Sequence, residues 1–233
     1  MQRLAITWFG HSTFRVRTPG GKRLLFDPWL EGNPACPARL RKPPQADVIL
    51  ASHGHADHIG DLVPCARDSG APVIAAFELC DWLGRRGIQR LLPLNIGGSV
   101  DAAGVRVTMT EARHSSGYVD NGQMVYMGEP AGFVVRLEDG RTIYYAGDTS
   151  LFGDMRLIGE LYAPEIAFLP IGDRFTMDPA AAARACKMLG VRQVVPMHWG
   201  TFPLLTGTPA ALKALVEPSG VNVLELKPGE TAE

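Results

Sequence analysis

The run Asp47-Val48-Ile49-Leu50-Ala51-Ser52 passes without a break into His53-Gly54-His55-Ala56-Asp57-His58, and no other stretch restricts the chain so tightly. A continuous apolar run of this length predicts a strand covered on both faces. Four side chains that ligate metals then crowd its end. Residues two apart on an extended segment point the same way, so His53 and His55 can offer imidazoles to one metal. The turn into the next helix aims Asp57 and His58 elsewhere. That arrangement suits two adjacent metals. With 6 histidines in 233 residues, chance alone would assemble this pattern in only about two chains in ten thousand.

A metal pair needs more ligands, and the remaining histidines stand after predicted strands, where ligands belong. His114 follows a strand ending near Thr110, and His198 follows one over 193–196. Asp148, in Gly147-Asp148-Thr149, also ends a strand, and its two oxygens allow it to bridge two cations. His11, in Gly10-His11-Ser12, is expected to orient a ligand from behind. Two dications against the carboxylates of Asp57 and Asp148 leave a surplus of about two positive charges. That surplus would hold a hydroxide between the metals near neutral pH, with Asp57 orienting it or carrying its proton.

The surrounding pattern predicts a mixed α/β chain. Strands are expected over 4–9, 12–18 and 23–27, followed by the buried strand at 47–52. Helices near 59–69 and 78–86 flank a strand at 72–76, and a hairpin pairs 99–101 with 105–110. The stretch 113–131 has no clean period. A second hairpin, 133–137 with 142–146, turns at Asp139-Gly140. Helices near 152–162, 179–189 and 209–216 then alternate with strands at 166–170, 193–196 and 222–226. Two stretches about 120 residues apart repeat one order of elements, a hairpin ending in Asp27 or Asp148 and then an apolar strand. Two such halves, about 1–112 and 131–233, predict two sheets face to face with helices outside and a site where they meet. Residues 1–233 are read as one domain.

The balance of 23 basic against 24 acidic residues gives a net charge of −1, so no whole-chain field favours nucleic acid or an anionic membrane. Arg39, Arg41 and Lys42 lack the interleaved aromatics of a nucleic-acid face. No apolar run is long enough to span a bilayer, and the first residues lack a signal-peptide pattern. The 4 cysteines are irregularly spaced and predict free thiols in a reducing cytoplasm. No Gly-x-x-x-x-Gly-Lys loop supports triphosphate chemistry, and no Gly-x-Ser-x-Gly elbow supports a serine nucleophile.

These motifs resemble the metallo-β-lactamase superfamily: His53-x-His55-x-Asp57-His58, then His114, Asp148 and His198, in the family's order and over essentially the whole chain. Leu50-Ala51-Ser52-His53-Gly54-His55, Phe168-Leu169-Pro170-Ile171-Gly172-Asp173 and Val195-Pro196-Met197-His198 are similar to a branch of uncharacterised metal-dependent hydrolases related to ascorbate-phosphate lactonases. The resemblance implies a four-layer αββα sandwich with two mixed sheets and helices outside. It implies that His53, His55 and His114 hold one metal, Asp57, His58 and His198 the other, and that Asp148 bridges them. His55 stands where flavodiiron oxidoreductases usually carry Glu, and Asp148 where the commonest zinc β-lactamases carry Cys, so hydrolysis is favoured over oxygen chemistry or antibiotic cleavage. Assembly into a homo-oligomer is likewise implied by similar proteins.

Two divalent metals are therefore expected, zinc first and manganese next, with iron or nickel as further options. The expected substrate is a small ester-like molecule, a lactone among the options. Phosphodiester hydrolysis by the same metal pair is the alternative, and a metal-dependent ligand sensor without turnover is a third. Arg174, in the repeat-mate of the His53 stretch, would meet an anionic substrate group, and the 115–130 segment would lie over the site or at a subunit contact.

Overall fold

The computed structural model describes residues 2–233. β1 (Ala5–Gly10), β2 (Thr13–Arg17) and β3 (Arg23–Phe26) form an antiparallel meander. β4 (Val48–Leu50) joins β3 in parallel. α1 (Ala56–Ile59) and α2 (Leu62–Ser69) lead to β5 (Val73–Ala76), and α3 (Phe77–Gly84) leads to β6 (Leu91–Leu94), each new strand parallel to the last.

β7 (Ser99–Ala102) and β8 (Val105–Glu111) open a second sheet, and β9 (Gly117–Asp120) with β10 (Gln123–Tyr126) forms a separate hairpin. The second sheet continues through β11 (Ala131–Arg136), β12 (Thr142–Tyr145), α4 (Met155–Tyr162), β13 (Ile166–Pro170), α5 (Pro179–Leu189), β14 (Gln193–Met197), α6 (Pro209–Val216) and β15 (Asn222–Val223). β16 (Thr231–Ala232) returns to pair with β1 at the edge of the first sheet.

The two 7-stranded sheets run β16-β1-β2-β3-β4-β5-β6 and β7-β8-β11-β12-β13-β14-β15. Their neighbours alternate in sense identically: three antiparallel pairings, then three parallel ones. β1 and β8 thus hold one place, and so do β3 and β12. The arrangement is the metallo-β-lactamase fold, two mixed sheets with helices outside.

Alternation along the strands explains the layers. Val48 and Leu50 enter the core between the sheets, while Ile49 and Ala51 face the cluster under α2 and α3. Phe14 meets Phe168 edge-on at 5.0 Å, and Phe26 stacks on Tyr145 at 4.7 Å, joining the sheets. Each such fully buried ring contributes about 1.5–3 kcal/mol. α5 and α6 begin where capping chemistry places them: Asp178 accepts from the Ala181 amide at 2.7 Å, Thr208 from that of Ala211 at 3.2 Å, and a proline follows each cap.

Three departures from the sequence expectation have local causes. The helix expected near 59–69 is two helices, because Asp61 turns its carboxylate back to accept the amides of Leu30 and Glu31. The aperiodic 113–131 stretch holds the β9–β10 hairpin, turning at Asn121 and Gly122 with φ of 49° and 79°, as an Asn-Gly turn requires. β6 contains Pro93, tolerated because the strand lies at a sheet edge. Among the described residues no helix is long and apolar enough to cross a membrane.

Candidate metal centre

Every histidine of the chain converges where the two sheets meet. His11 follows β1, His53 and His55 follow β4, His114 follows β8 and His198 follows β14, while Asp57 and His58 lie in α1. Asp27 and Asp148 follow the equivalent strands β3 and β12. His11, Asp27 and His198 have φ of 55°, 43° and 54°, a left-handed backbone that costs a non-glycine residue about 1–3 kcal/mol. Tertiary bonds hold them there: the His198 amide donates to the His11 carbonyl at 3.1 Å, and that of Asp27 to the Leu50 carbonyl at 3.0 Å.

The ligand atoms form two main groups, and a third set, Asp27, His53 and His58, overlaps both. Those of His53, His55 and His114 lie within 4.8 Å of one another, and so do those of His11, Asp57, His58 and His198. Asp148 stands between the groups: its Oδ2 is 2.9 Å from His198 Nε2, 3.3 Å from His58 Nε2 and 3.7 Å from His114 Nε2. His58 Nε2, His198 Nδ1 and Asp148 Oδ1 are buried without any hydrogen-bond partner. Each such atom costs about 1–3 kcal/mol if left uncompensated, so this imidazole and carboxylate set fits a divalent metal.

Local charge points the same way. Burial works against a charged His58, yet the carboxylates of Asp148 and Asp27 outweigh it and lift His58 well above the usual imidazole range. Burial also opposes ionisation of Asp148, but His198 and His58 hold it well below the usual carboxylate range. Asp57 is likewise held low, burial being outweighed by its bond from His11 and by His58. His53 is kept far below its ordinary value by burial and by His58. Burial and His198 pull His11 down to about 4. The carboxylates around His58 thus call for positive charge, while His53 stays neutral and keeps a lone pair to donate.

A supporting shell fixes these side chains. His11 Nε2 lies 3.1 Å from Asp57 Oδ2 and its Nδ1 2.9 Å from Thr201 Oγ1. Asp27, fully buried, accepts from the Ser52 amide and hydroxyl at 2.7 and 2.6 Å, from the Tyr145 hydroxyl at 2.8 Å, and pairs with His58 Nδ1 at 2.7 Å. Ser116 Oγ accepts from the Gly54 amide at 3.1 Å, tying the root of the β9–β10 hairpin to the His53 loop. Asp27, Thr201 and Ser116 stand outside the site residues expected from the sequence, where Ser116 draws attention only as a nucleophile without an elbow motif. Asp27 carried a signal, since it ends the hairpin that repeats the one ending in Asp148. Arg174, expected to meet substrate, is exposed, and none of the hydrogen bonds or ion pairs of the site involves it.

Residues 22–199 match the Beta-lactamase superfamily domain. A UPF0173 metal-dependent hydrolase of Rubrobacter xylanophilus is 50% identical over 228 residues, spanning 97% of this chain and 94% of its own. The chain belongs to the UPF0173 metal-dependent hydrolases. Another UPF0173 protein, from Solibacter usitatus, is 49% identical over 230 residues and covers 99% of this chain and 100% of its own. Among solved structures, the UPF0173 chain is similar to Igni18, a metallo hydrolase of Ignicoccus hospitalis, with a TM-score of 0.87 at 37% identity over 98% of this chain and 97% of that one. The isothiocyanate hydrolase from Delia radicum gut bacteria, with a TM-score of 0.73 at 22% identity over 98% of each chain, shares the fold. The UPF0173 assignment makes the protein a metal-dependent hydrolase.

Proposed function

We propose that this chain, as a single domain, hydrolyses small ester-like substrates, lactones included, with two divalent metals. His53, His55 and His114 would hold one metal and Asp57, His58 and His198 the other, with Asp148 bridging. The observation that carries this reading is the place of Asp148 Oδ2, within 3.7 Å of histidine nitrogens from both groups. Bound there, a zinc pair, or manganese, iron or nickel in its place, would supply an activated water and a Lewis acid for the scissile group.

The protein's own groups do the rest. His11 is neutral at physiological pH, so its Nε2–H donates to Asp57 Oδ2 and its Nδ1 accepts from Thr201. That bond fixes the Asp57 carboxylate, which would hold one metal and orient the water that the metals activate. Asp57 is the most open of the carboxylates here, with its side chain 31% exposed against 2% for Asp148, so it faces the side from which substrate arrives. The four cysteines described are free and buried, which fits a reducing cytoplasm.

The test combines metal analysis with turnover. Protein purified without chelator is expected to carry about two equivalents of one transition metal per chain and to hydrolyse members of a lactone panel, with His55→Ala lowering the metal content and abolishing turnover. Activity confined to bis-aryl phosphates would establish the phosphodiesterase alternative. Metal-replete protein that binds a metabolite and releases it unchanged would establish a sensor.

A further inference from the structure

Beside the Asp57 end of the metal centre stand two aromatic side chains that no hydrolytic step uses. Trp29 and Phe202 lie 5.9 Å apart between ring centroids, and both pack against the His11 ring, at 5.2 and 5.7 Å. His11 in turn bonds to Asp57, so this aromatic corner adjoins the place where the reacting group would sit. Phe202 remains 36% exposed. Its open face lies beside the polar cluster, where an apolar group of a ligand would cover it.

The corner is built rather than incidental. The Trp29 backbone is pinned on both sides: its amide donates to Thr13 Oγ1 at 3.1 Å, and its carbonyl accepts from Thr13 Oγ1 at 3.1 Å and from buried Asn33 Nδ2 at 3.2 Å. Two glycines make room for the indole. A Cβ at Gly32 would come within 2.8 Å of Trp29 Nε1, and one at Gly60 within 2.8 Å of Cδ1. Phe202 is set by the turn in which the Leu205 amide donates to its carbonyl at 3.0 Å.

Charge narrows the class of ligand. Among the described residues no lysine or arginine side chain bonds or ion-pairs to the metal groups, Trp29 or Phe202; the basic partners Arg23, Arg86, Arg113 and Arg141 are engaged with Asp47, Asp120, Glu111 and Asp139. None of these four guanidinium forks is free to take a phosphate or sulfate group.

We infer that Trp29 and Phe202 form an apolar subsite that takes the alkyl or aryl group of an uncharged ester or lactone. This rests on the hydrolase reading above and names the substrate class.

The test is chain-length discrimination by full-length, metal-replete protein. kcat/KM is measured for γ-lactones bearing methyl, propyl and pentyl substituents. Independently of turnover, calorimetry gives affinities for butyrate, hexanoate and octanoate. Each added methylene is expected to improve both quantities by about three- to fourfold while the chain still lies on the rings. Phe202→Ala is expected to lower the pentyl-to-methyl ratio of kcat/KM at least tenfold, Phe202→Leu to restore most of it, and Trp29→Leu to lower it likewise. Equal losses on short and long lactones would mean that the rings merely shield the His11–Asp57 bond, and would overturn the inference. A flat chain-length series in the unaltered protein would overturn it too. Chain-length-dependent carboxylate binding that Phe202→Ala removes, with no lactone turned over, would uphold the subsite and refute hydrolysis.

Discussion

Asp27 Oδ2 lies 2.7 Å from His58 Nδ1, which fixes the ring so that Nε2 faces Asp148 Oδ2 at 3.3 Å. A ligating imidazole oriented in this way binds metal more tightly, and losing the orienting carboxylate typically costs 10- to 100-fold in affinity. Asp27→Asn is therefore expected to weaken metal binding by that factor in competition with a chromogenic chelator. Asp27→Ala should in addition lower stability by about 3 kcal/mol in urea, because Ser52, His58 and Tyr145 lose their buried acceptor together. Unchanged affinity in Asp27→Asn would show that the carboxylate does not orient the ligand.

Asp148 is expected to act on both metals at once. Asp148→Ala should reduce metal content from about two equivalents per chain to one or less by plasma mass spectrometry, whereas Arg174→Ala should leave the content unchanged. Two equivalents retained in Asp148→Ala would rule out a bridge at this position.

Gly54 lies between two ligands and has no room for a side chain. A Cβ there would strike the Cβ of Met127, which is fully buried. Gly54→Ala is thus expected to cost about 1–3 kcal/mol through overpacking and to disturb the Ser116 bond that ties the hairpin root to the metal loop. Met127→Gly, which removes the Cβ that the new methyl would strike, should recover part of the loss in the same chain, measured as the urea midpoint and as metal affinity. An additive double variant would mean that the two side chains do not compete for space.

What was legible in the sequence followed from period and position. The His53–His58 cluster, the strand-end places of His114, Asp148 and His198, and the capped helices α5 and α6 all rest on local signals, and the structure brings those ligands within reach of one another. Asp27 is different. Its strand matches the one before Asp148, but its work passes through a bond to a residue 31 positions away, which no window along the chain can show; for His11 the orienting role was legible and its partner, 46 positions away, was not. The β9–β10 hairpin escaped because apolar residues stand on both its faces, Tyr118 and Val125 packed on the core and Val119, Met124 and Tyr126 exposed, so the sequence alternation that marks half-buried strands is missing while the Asn121-Gly122 turn remains. Trp29 and Phe202 have no pattern at all; only the fold sets them on one histidine.

The strands that end at Asp27 and at His53 are clamped at their other ends by one ion pair. Arg23 Nε and Nη2 donate to Asp47 at 2.9 and 3.2 Å, and the Arg23 amide adds a bond at 2.8 Å. The Arg23 hydrogen bond, opposed by a smaller burial penalty, holds Asp47 below the usual carboxylate range. A carboxyl whose pKa is lower in the folded chain gives stability that is complete above the unfolded value, about 3.9, and lost as pH falls through the folded one. The pair is partly exposed, with side chains 37% and 26% accessible, so solvent screening limits its worth to about 0.5–1 kcal/mol. Asp47→Asn should therefore unfold at lower urea than the unaltered chain at pH 7, with the gap narrowing below about pH 4. A gap of constant size from pH 7 to pH 3 would assign the loss to packing at the strand start instead of charge.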